Sequence, residues 1–476
     1  MLYLYFLIKY FKLEVEMKTV LQVNDFLNKI VWGVPTQILL LGAGIILMIA
    51  SGFVVFRKVR YIAANTFGKI FEPVKADEGH LTPFQAVSTA LAATVGTGNI
   101  AGVTLAIAAG GPGALFWMWI AAIIGMSTKF AEVTLAVATA TYNSKGQRVG
   151  GPMYYIERGL GYKGLAKVFA LFGGIACFGI GCMTQSNSIS TTLESTFNIN
   201  KTVTGIVLVI LLSVVLIGGF KRIGSVAEKI VPLMALFYVI GGLVVMVIER
   251  DALPGALALI FKSAFTTQAA SGGFAGATMS MAMRSGIARG VFTNEAGLGS
   301  APIAHATAQT DHPVRQGLWA VFEVFMDTIV VCTITGLVVI MSGVWTRGDV
   351  EGAAMTVEAF GTGFYYGKYI VTIGIALFAF TTILGWSYYG EKCNEYLFGR
   401  DLSLPFRILF IIMAFVGSVG GLKVIWSLTD TLNGMMAIPN LIGLILLYKP
   451  FKKLVQDFFK SPDANFGERN YMEFFK

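Results

Sequence analysis

Charge is scarce in this sequence. Asp, Glu, Lys and Arg together make up 13% of its 476 residues, about half of the roughly 25% usual for a soluble domain. With 55% hydrophobic residues, that shortage excludes an ordinary soluble globular protein and leaves an integral membrane protein. Histidine is rare too: His80, His305 and His312 are too scattered to form a metal cage. The four cysteines (Cys177, Cys182, Cys332, Cys393) fall in or near hydrophobic segments. Their spacing matches neither a zinc site nor a disulfide framework, so they read as small packing residues. There is no GxxxxGK[ST] phosphate loop and no HExxH pair, and neither GGPG nor NEAGLG is a nucleophile elbow, so no enzyme reading finds its residues. No Pro- or Ser-rich linker and no insertion of soluble-domain size divides the chain.

Long hydrophobic runs are what the chain has instead. The hydropathy pattern predicts an all-α membrane protein with eleven transmembrane helices: a leader at about 36–56, then spans at 83–108, 112–139, 170–190, 203–219, 231–248, 272–290, 317–342, 369–390, 405–420 and 424–448. Each approaches the roughly 20 apolar residues a bilayer requires. The net charge of +9 raises the question of a nucleic-acid partner, but the distribution of the cations answers it. Segments after the leader, after the second, fourth, sixth and eighth later spans, and the tail hold 25 of the 36 Lys and Arg; the alternate segments hold 6. Adding Lys9, Lys12, Lys18 and Lys29 of the N-terminal segment to the latter leaves the bias intact. By the positive-inside rule the N-terminus lies outside and the C-terminus in the cytoplasm.

The domain plan expected is an N-terminal extension (1–35), the leading helix (36–56), two repeats (83–248 and 272–448) and a cytoplasmic tail (449–476). The opening MLYLYFLIKYFKLEVE is apolar over too short a stretch to span. It also lacks a small-residue cleavage site, so residues 1–16 read as an extension upstream of a start at Met17, with an interfacial segment as the rival.

Two spans carry residues that a lipid-facing helix disfavours. The span at 83–108 contains TVGTGNIAG, and five spans later comes SGGFAGATMSMAMRSG, from Ser271 to Gly286. Five is odd, so the two halves have opposite topology: a five-plus-five inverted repeat with a discontinuous first helix in each repeat. A break frees N–H donors at one half-helix end and carbonyls at the other, and such backbone survives at membrane depth only where it lines a cavity or is packed in protein. A zwitterion with carboxylate and ammonium on one carbon fits both ends. Gly98 and Gly102 also form a GxxxG packing pair, but packing alone does not need Thr94, Thr97 and Asn99.

TALAATVGTGNIAGV, GGPGALFWMW, GGPMYYIERGL, RGVFTNEAGLGSAPIA, DTIVVCTITGL, GWSYYGEKC and TLNGMMAIPNLIGL together resemble the alanine/glycine:cation symporter family, with similarity from about Val20 to the last span. The resemblance implies the ten-helix inverted repeat of the amino acid–polyamine–organocation superfamily with an extra leading helix. It also implies a multi-pass protein of the cell (inner) membrane, coupling uptake of alanine or glycine to Na⁺, with H⁺ as coupling ion or glutamine and serine as cargo being the variants. Surrounding lipid and the substrate are then its partners, nucleic acid is not, and the chain works as a monomer.

The same resemblance implies a site. Backbone amides at Thr97 and Gly98 would hold the substrate carboxylate, and Gln185 would contact the substrate. Phe274, Gly276, Ala277 and Thr278 form the second break, whose carbonyls accept from the ammonium. Trp386 would wall off all but a methyl side chain. For Na⁺, which prefers hard oxygen ligands as Ca²⁺ and Mg²⁺ do, Thr381 and Thr382 are paired with Ala93, Thr94 and neighbouring carbonyls, and Asn99 is a further candidate. Bland readings stand beside these: Gln185 as an interhelical hydrogen bond, Trp386 as a belt tryptophan, the threonines as bonded back to the preceding turn. Lys129 and Glu132, three apart, share a face and are expected to pair. Glu323 and Asp327, four apart, would repel if unpaired, and Asp430 lies early in the last span; a proton relay or structural anchoring are the two readings of these charges. Arg284, Arg289 and Glu295 read as a cytoplasmic gate or anchor. A channel would favour rings of like residues, and two different breaks within one chain suit an internal site better.

Overall fold

A computed structural model describes residues 19–70, 72, 75–265, 279–350, 352–399, 402–420, 423–467 and 469–476, with 423–426 described by backbone alone. The principal helices are α1 (Thr19–Ala50), α2 (Pro83–Thr94), α3 (Ala101–Gly110), α4 (Gly113–Ala138), α5 (Lys163–Phe197) and α6 (Lys201–Leu216). They continue as α7 (Gly219–Ile248), α8 (Leu253–Phe265), α9 (Met279–Asn294), α10 (Pro313–Ser342), α11 (Ala353–Gly363), α12 (Gly367–Phe398), α13 (Ser403–Val419), α14 (Lys423–Leu446) and α15 (Tyr448–Lys460). One two-stranded hairpin, Thr141–Tyr142 with Arg148–Val149, is the sheet among the described residues.

Among the described residues, six helices (α1, α4, α5, α7, α10, α12) are long and apolar enough to cross a membrane, and two bent pairs raise the number to eight. The eleven spans anticipated from sequence include α6 and α13, which are apolar but only 16 and 17 residues long. They also include α9, whose anticipated first residues lie outside the described ones. Large apolar side chains face outward on the helix surfaces: Ile210 is 58% exposed, Leu233 66% and Val247 67%. Such a surface requires a lipid solvent.

The leading helix starts earlier than expected. It takes in residues 19–35 because their polar side chains dock on α14: Asn24 Nδ2 donates to Ser427 Oγ (2.7 Å), Asn28 Nδ2 to Asp430 Oδ2 (3.0 Å) and Trp32 Nε1 to the Asp430 carbonyl (3.2 Å). The expected tail also holds structure. In α15, Phe451, Leu454, Val455 and Phe458 are buried while Lys452 and Lys453 face outward, the pattern of a helix lying at an interface. Residues 1–16 lie outside the described residues.

Local chemistry sets the ends that matter for the site. Thr82 caps α2 reciprocally with Gln85, and Pro83 occupies the first turn. α10 begins at Pro313 behind His312, whose Nδ1 accepts from the Val314 amide at 3.1 Å. Inside α5 and α10 the backbone widens into π-turns, at Gly179–Met183 and Phe325–Cys332, features that concentrate at functional sites. α4 packs against α9 and α10, and α12 against α2, α5 and α7.

Candidate functional site

The first break falls where the glycines are. α2 stops at Thr94, and after a bend of 56° the chain resumes as a short turn at Thr97–Asn99 leading into α3. Val95 (φ −76°, ψ 91°) and Gly96 (φ −139°, ψ −154°) are extended. Among the described residues the carbonyls of Ala92, Ala93, Thr94 and Val95 accept no hydrogen bond, and the amides of Thr97 and Gly98 donate none. Half-helix ends therefore present a row of carbonyls and two N–H groups at one place, with the negative end of one dipole beside the positive end of the other.

Asn99 holds this shape. Its Oδ1 accepts from the Gly96 amide (2.9 Å), and its Nδ2 donates to Asp327 Oδ1 (2.7 Å) and to the Asp327 carbonyl (3.2 Å) in the π-turn of α10. Expected as a cation ligand, Asn99 instead has both ends of its amide occupied and braces the break.

The break opens on a small internal cavity of about 20 Å³. Ala93, Thr94, Gly96, Thr97 and Gly98 line it from one side, Ile180 and Gln185 from α5, Thr382 and Trp386 from α12, Phe292 and Glu295 from the end of α9, and Asn433 from α14. At that size it holds about one water. A larger hollow of about 550 Å³ lies at the start of α2, between Gln85, Lys229 and Arg315; the broken helix lines the small chamber, which makes that chamber the candidate site.

Each wall is fixed by a traceable contact. Thr97 Oγ1 donates to Gln185 Oε1 at 3.1 Å, and Gln185 Nε2 donates to the Ile180 carbonyl at 3.0 Å, a carbonyl in the π-turn of α5. A Cβ on Gly181 would lie 2.3 Å from Trp386 Cβ, and one on Gly96 would lie 2.5 Å from Thr382 Oγ1. Glycine at these two positions is thus what lets α5 and the break meet α12. Asn433 Oδ1 is buried on the wall with no hydrogen-bond partner among the described residues.

Most of the anticipated residues on the described chain converge here: Ala93, Thr94, Thr97, Gly98, Gln185, Thr382 and Trp386. Thr94 Oγ1 bonds back to the Ala90 carbonyl (3.2 Å) and Thr382 Oγ1 to Phe378 (2.9 Å), so their hydroxyl lone pairs, not their protons, are left for a cation. Thr381 stands apart: its hydroxyl bonds to the Leu377 and Phe378 carbonyls (3.1 and 3.0 Å) and faces Met234 Sδ on α7 (3.4 Å). Phe274, Gly276, Ala277 and Thr278 lie outside the described residues.

Two wall residues escaped the sequence reading. Glu295 belongs to NEAGLG, where the sequence groups it with Arg284 and Arg289 as a gate or anchor. It instead accepts from Trp386 Nε1 (3.1 Å) and from the Ser300 hydroxyl, with backbone in the left-handed region (φ 56°). Arg289 lies over the Phe292 ring, 5.5 Å from its centre. Neither arginine makes an ion pair with Glu295 among the described residues. Asn433 lies within TLNGMMAIPNLIGL, but nothing in that motif marks it as a wall residue.

Beneath Glu295 lies a fully buried ionic layer. Lys129 does not pair with Glu132 as expected. Its Nζ reaches Glu323 Oε1 on α10 at 2.7 Å and donates to the Asn294 carbonyl at 2.5 Å. Glu323 also receives His305 Nε2 at 3.0 Å, whose Nδ1 accepts from Gln316 Nε2 at 2.8 Å. Glu132 accepts from the Gly297 amide (3.1 Å) and Asn440 Nδ2 (2.5 Å). Asp327 accepts hydrogen bonds from Asn99 Nδ2 and the Thr328 hydroxyl, uncharged donors that solvate it beside Glu323. Asp430 is bonded to Asn28 at the other end of α14. Lys129, Glu132, Glu323, Asp327 and Asp430 each have at least one hydrogen-bond or ion-pair partner on another helix, as burial in a poor solvent favours. No cluster of three His, Cys, Asp or Glu suited to a metal ion occurs among the described residues.

Comparison with known proteins adds the following. Residues 17–472 match the model of the family described as the sodium:alanine symporter family. The chain is 48% identical to the sodium/alanine symporter AgcS of Methanococcus maripaludis, covering 88% of this chain and 93% of that one. It is 47% identical to an uncharacterized transporter of Haemophilus influenzae (94% and 98% covered) and 36% identical to the probable sodium/glutamine symporter GlnT of Bacillus subtilis (92% and 90% covered). Among solved structures it resembles a manganese transporter of Eremococcus coleocola, with a TM-score of 0.50 over 86% of this chain and 87% of that one at 14% identity, a likeness of fold alone.

Proposed function

This chain belongs to the sodium:alanine symporter family, and from that membership we propose that it couples uptake of a small neutral amino acid, alanine or glycine, to the Na⁺ gradient. It is a membrane transporter and not an enzyme. One observation supports the site: the carbonyls of Ala93 and Thr94 and the amides of Thr97 and Gly98, unpartnered among the described residues, belong to residues that line a single chamber with Gln185 and Thr382. In this reading the Thr97 and Gly98 amides take the substrate carboxylate, assisted by Gln185. The carbonyls of Ala93 to Val95, with Thr94 and Thr382 oxygens, take Na⁺. Phe274, Gly276, Ala277 and Thr278 take the ammonium. Trp386, held by Glu295, limits the side chain to a methyl group or less.

The chamber is far smaller than an amino acid, so substrate entry requires the helices around it to separate. Alternating access meets that need: a five-plus-five inverted repeat, N-terminus outside and C-terminus cytoplasmic, rocks one bundle against the rest around a fixed site. Na⁺ and substrate sharing one broken helix each favour the state the other favours, which is reciprocal coupling.

The test is uptake into proteoliposomes. Labelled alanine should accumulate with an inward Na⁺ gradient and merely equilibrate without one; equal accumulation in both removes Na⁺ coupling, and accumulation driven by a proton gradient alone assigns H⁺ in its place. Glycine, D-alanine, serine and glutamine as competitors settle the cargo. Glutamine is the second reading because the Bacillus subtilis relative carries that name.

A further inference from the structure

Away from the transport site, a second groove lies where α1 gives way to two short helices, Val54–Arg57 and Val59–Asn65. It has a volume of about 300 Å³ and an almost wholly apolar lining, with Val55, Phe56, Val59 and Ala63 on one side and Met126 of α4 and Phe325 of α10 on the other. Phe56 and Val59 are 51% and 56% exposed, so the groove opens outward rather than into the core. Arg57, Lys58 and Arg60 interrupt the same apolar stretch. All three are exposed and have no carboxylate partner among the described residues. Arg60 stands three residues before Ala63 on one helix, which sets it on the groove's rim.

A second helix extends this cationic edge. Lys58 Nζ sits 5.4 Å from the centre of the Phe459 ring of α15, and Tyr61 packs edge-on against Phe458 and Phe459. Lys452, outward-facing and seven residues before Phe459, shares that face of α15 about 10 Å further along the shelf. The nearby Asp457 is already engaged by Arg469 at 2.8 Å.

We propose that this groove and shelf form a binding site for one anionic phospholipid, its acyl chain between the short helices and α4–α10 and its phosphate on Arg57, Lys58 and Arg60. Inside a bilayer an apolar groove gains little by exchanging one lipid tail for another, since the tails are as apolar as its walls. Selectivity must therefore come from the headgroup, and free cations beside the groove supply it for a negative one. The groove excludes a free phosphate as the occupant, because that ion would leave the apolar walls unused.

The full chain, purified from membranes containing equal phosphatidylglycerol and phosphatidylcholine, is examined by native mass spectrometry. Wild type should retain phosphatidylglycerol selectively. The triple variant Arg57→Gln, Lys58→Gln, Arg60→Gln should lower that preference on the order of 100-fold, from about a factor of five per cation. Ala63→Leu and Ala63→Trp fill the groove without touching a charge, and should expel the lipid progressively; the smaller change guards against a variant that fails to fold. Equal retention of the two lipids by wild type overturns the proposal. So does undiminished phosphatidylglycerol binding in both Ala63 variants, which would mean diffuse attraction to the surface, or displacement of the lipid by inorganic phosphate.

Discussion

At the scale of single residues, the buried charges are settled by partners distant in sequence. Lys129 compensates Glu323 and holds the Asn294 carbonyl next to Glu295. Removing one member of a buried pair leaves the other uncompensated, at a cost of roughly 3–5 kcal/mol. Lys129→Met is therefore expected to lower the thermal unfolding midpoint in detergent sharply, and adding Glu323→Gln should recover much of the loss; a double variant as unstable as the single one would show that the two do not act as a pair. Glu295 acts on Trp386 through an acceptor oxygen, which an amide preserves and a methyl does not. Glu295→Gln should keep alanine selectivity near wild type, whereas Glu295→Ala, freeing the indole, should weaken alanine binding and admit larger side chains. Competition by an amino-acid panel reads the difference, and identical behaviour of the two variants would deny Glu295 its hold on the ring. None of this was legible in the sequence. Helical spacing points Lys129 at Glu132, but the lysine's four-carbon stem reaches across to α10, and no local pattern encodes such a contact.

At the scale of elements, the broken helix was legible and its brace was not. Gly96 and Gly98 in a span too polar for lipid announce an interruption, because only backbone lining a cavity or packed in protein survives there. That Asn99 would spend its amide on Gly96 and Asp327 depended on α10 arriving alongside. Asn99→Ala strips the Gly96 amide and the Asp327 carboxylate of a buried partner, each worth about 1–3 kcal/mol. We expect a less stable protein with alanine affinity reduced at least tenfold. Unchanged affinity would mean that the break keeps its shape unaided. The early start of α1 depends on tertiary contact in the same way: the segment assigned to the N-terminal extension carries Asn24 and Asn28, whose acceptors are supplied by α14. α15 was read as tail because its apolar residues, spaced three and four apart, alternate with lysines and never form a run.

At the scale of the whole molecule, the C-terminal segment is clasped to the start of α10 through His312, which is ringed by Phe458, Phe466 and Tyr471. Burial pushes the His312 pKa down to about 4, against the pull of Asp457 at 3.5 Å, and its Nδ1 is already committed to the Val314 amide as an acceptor. A base whose folded pKa lies below its unfolded value near 6.5 binds fewer protons when folded. Stability is then complete above about pH 6.5 and is lost as the pH falls toward 4, by about 3 kcal/mol in full. Limited proteolysis should accordingly release the segment after α14 faster at pH 5 than at pH 7, and His312→Gln should flatten that dependence. The chamber at the break has its own consequence at this scale. With room for about one water among the described residues, it offers ions no wide aqueous passage of its own. If the transport reading holds, this conformer should therefore leak little charge; steady currents through the protein in a planar bilayer without amino acid would overturn that expectation.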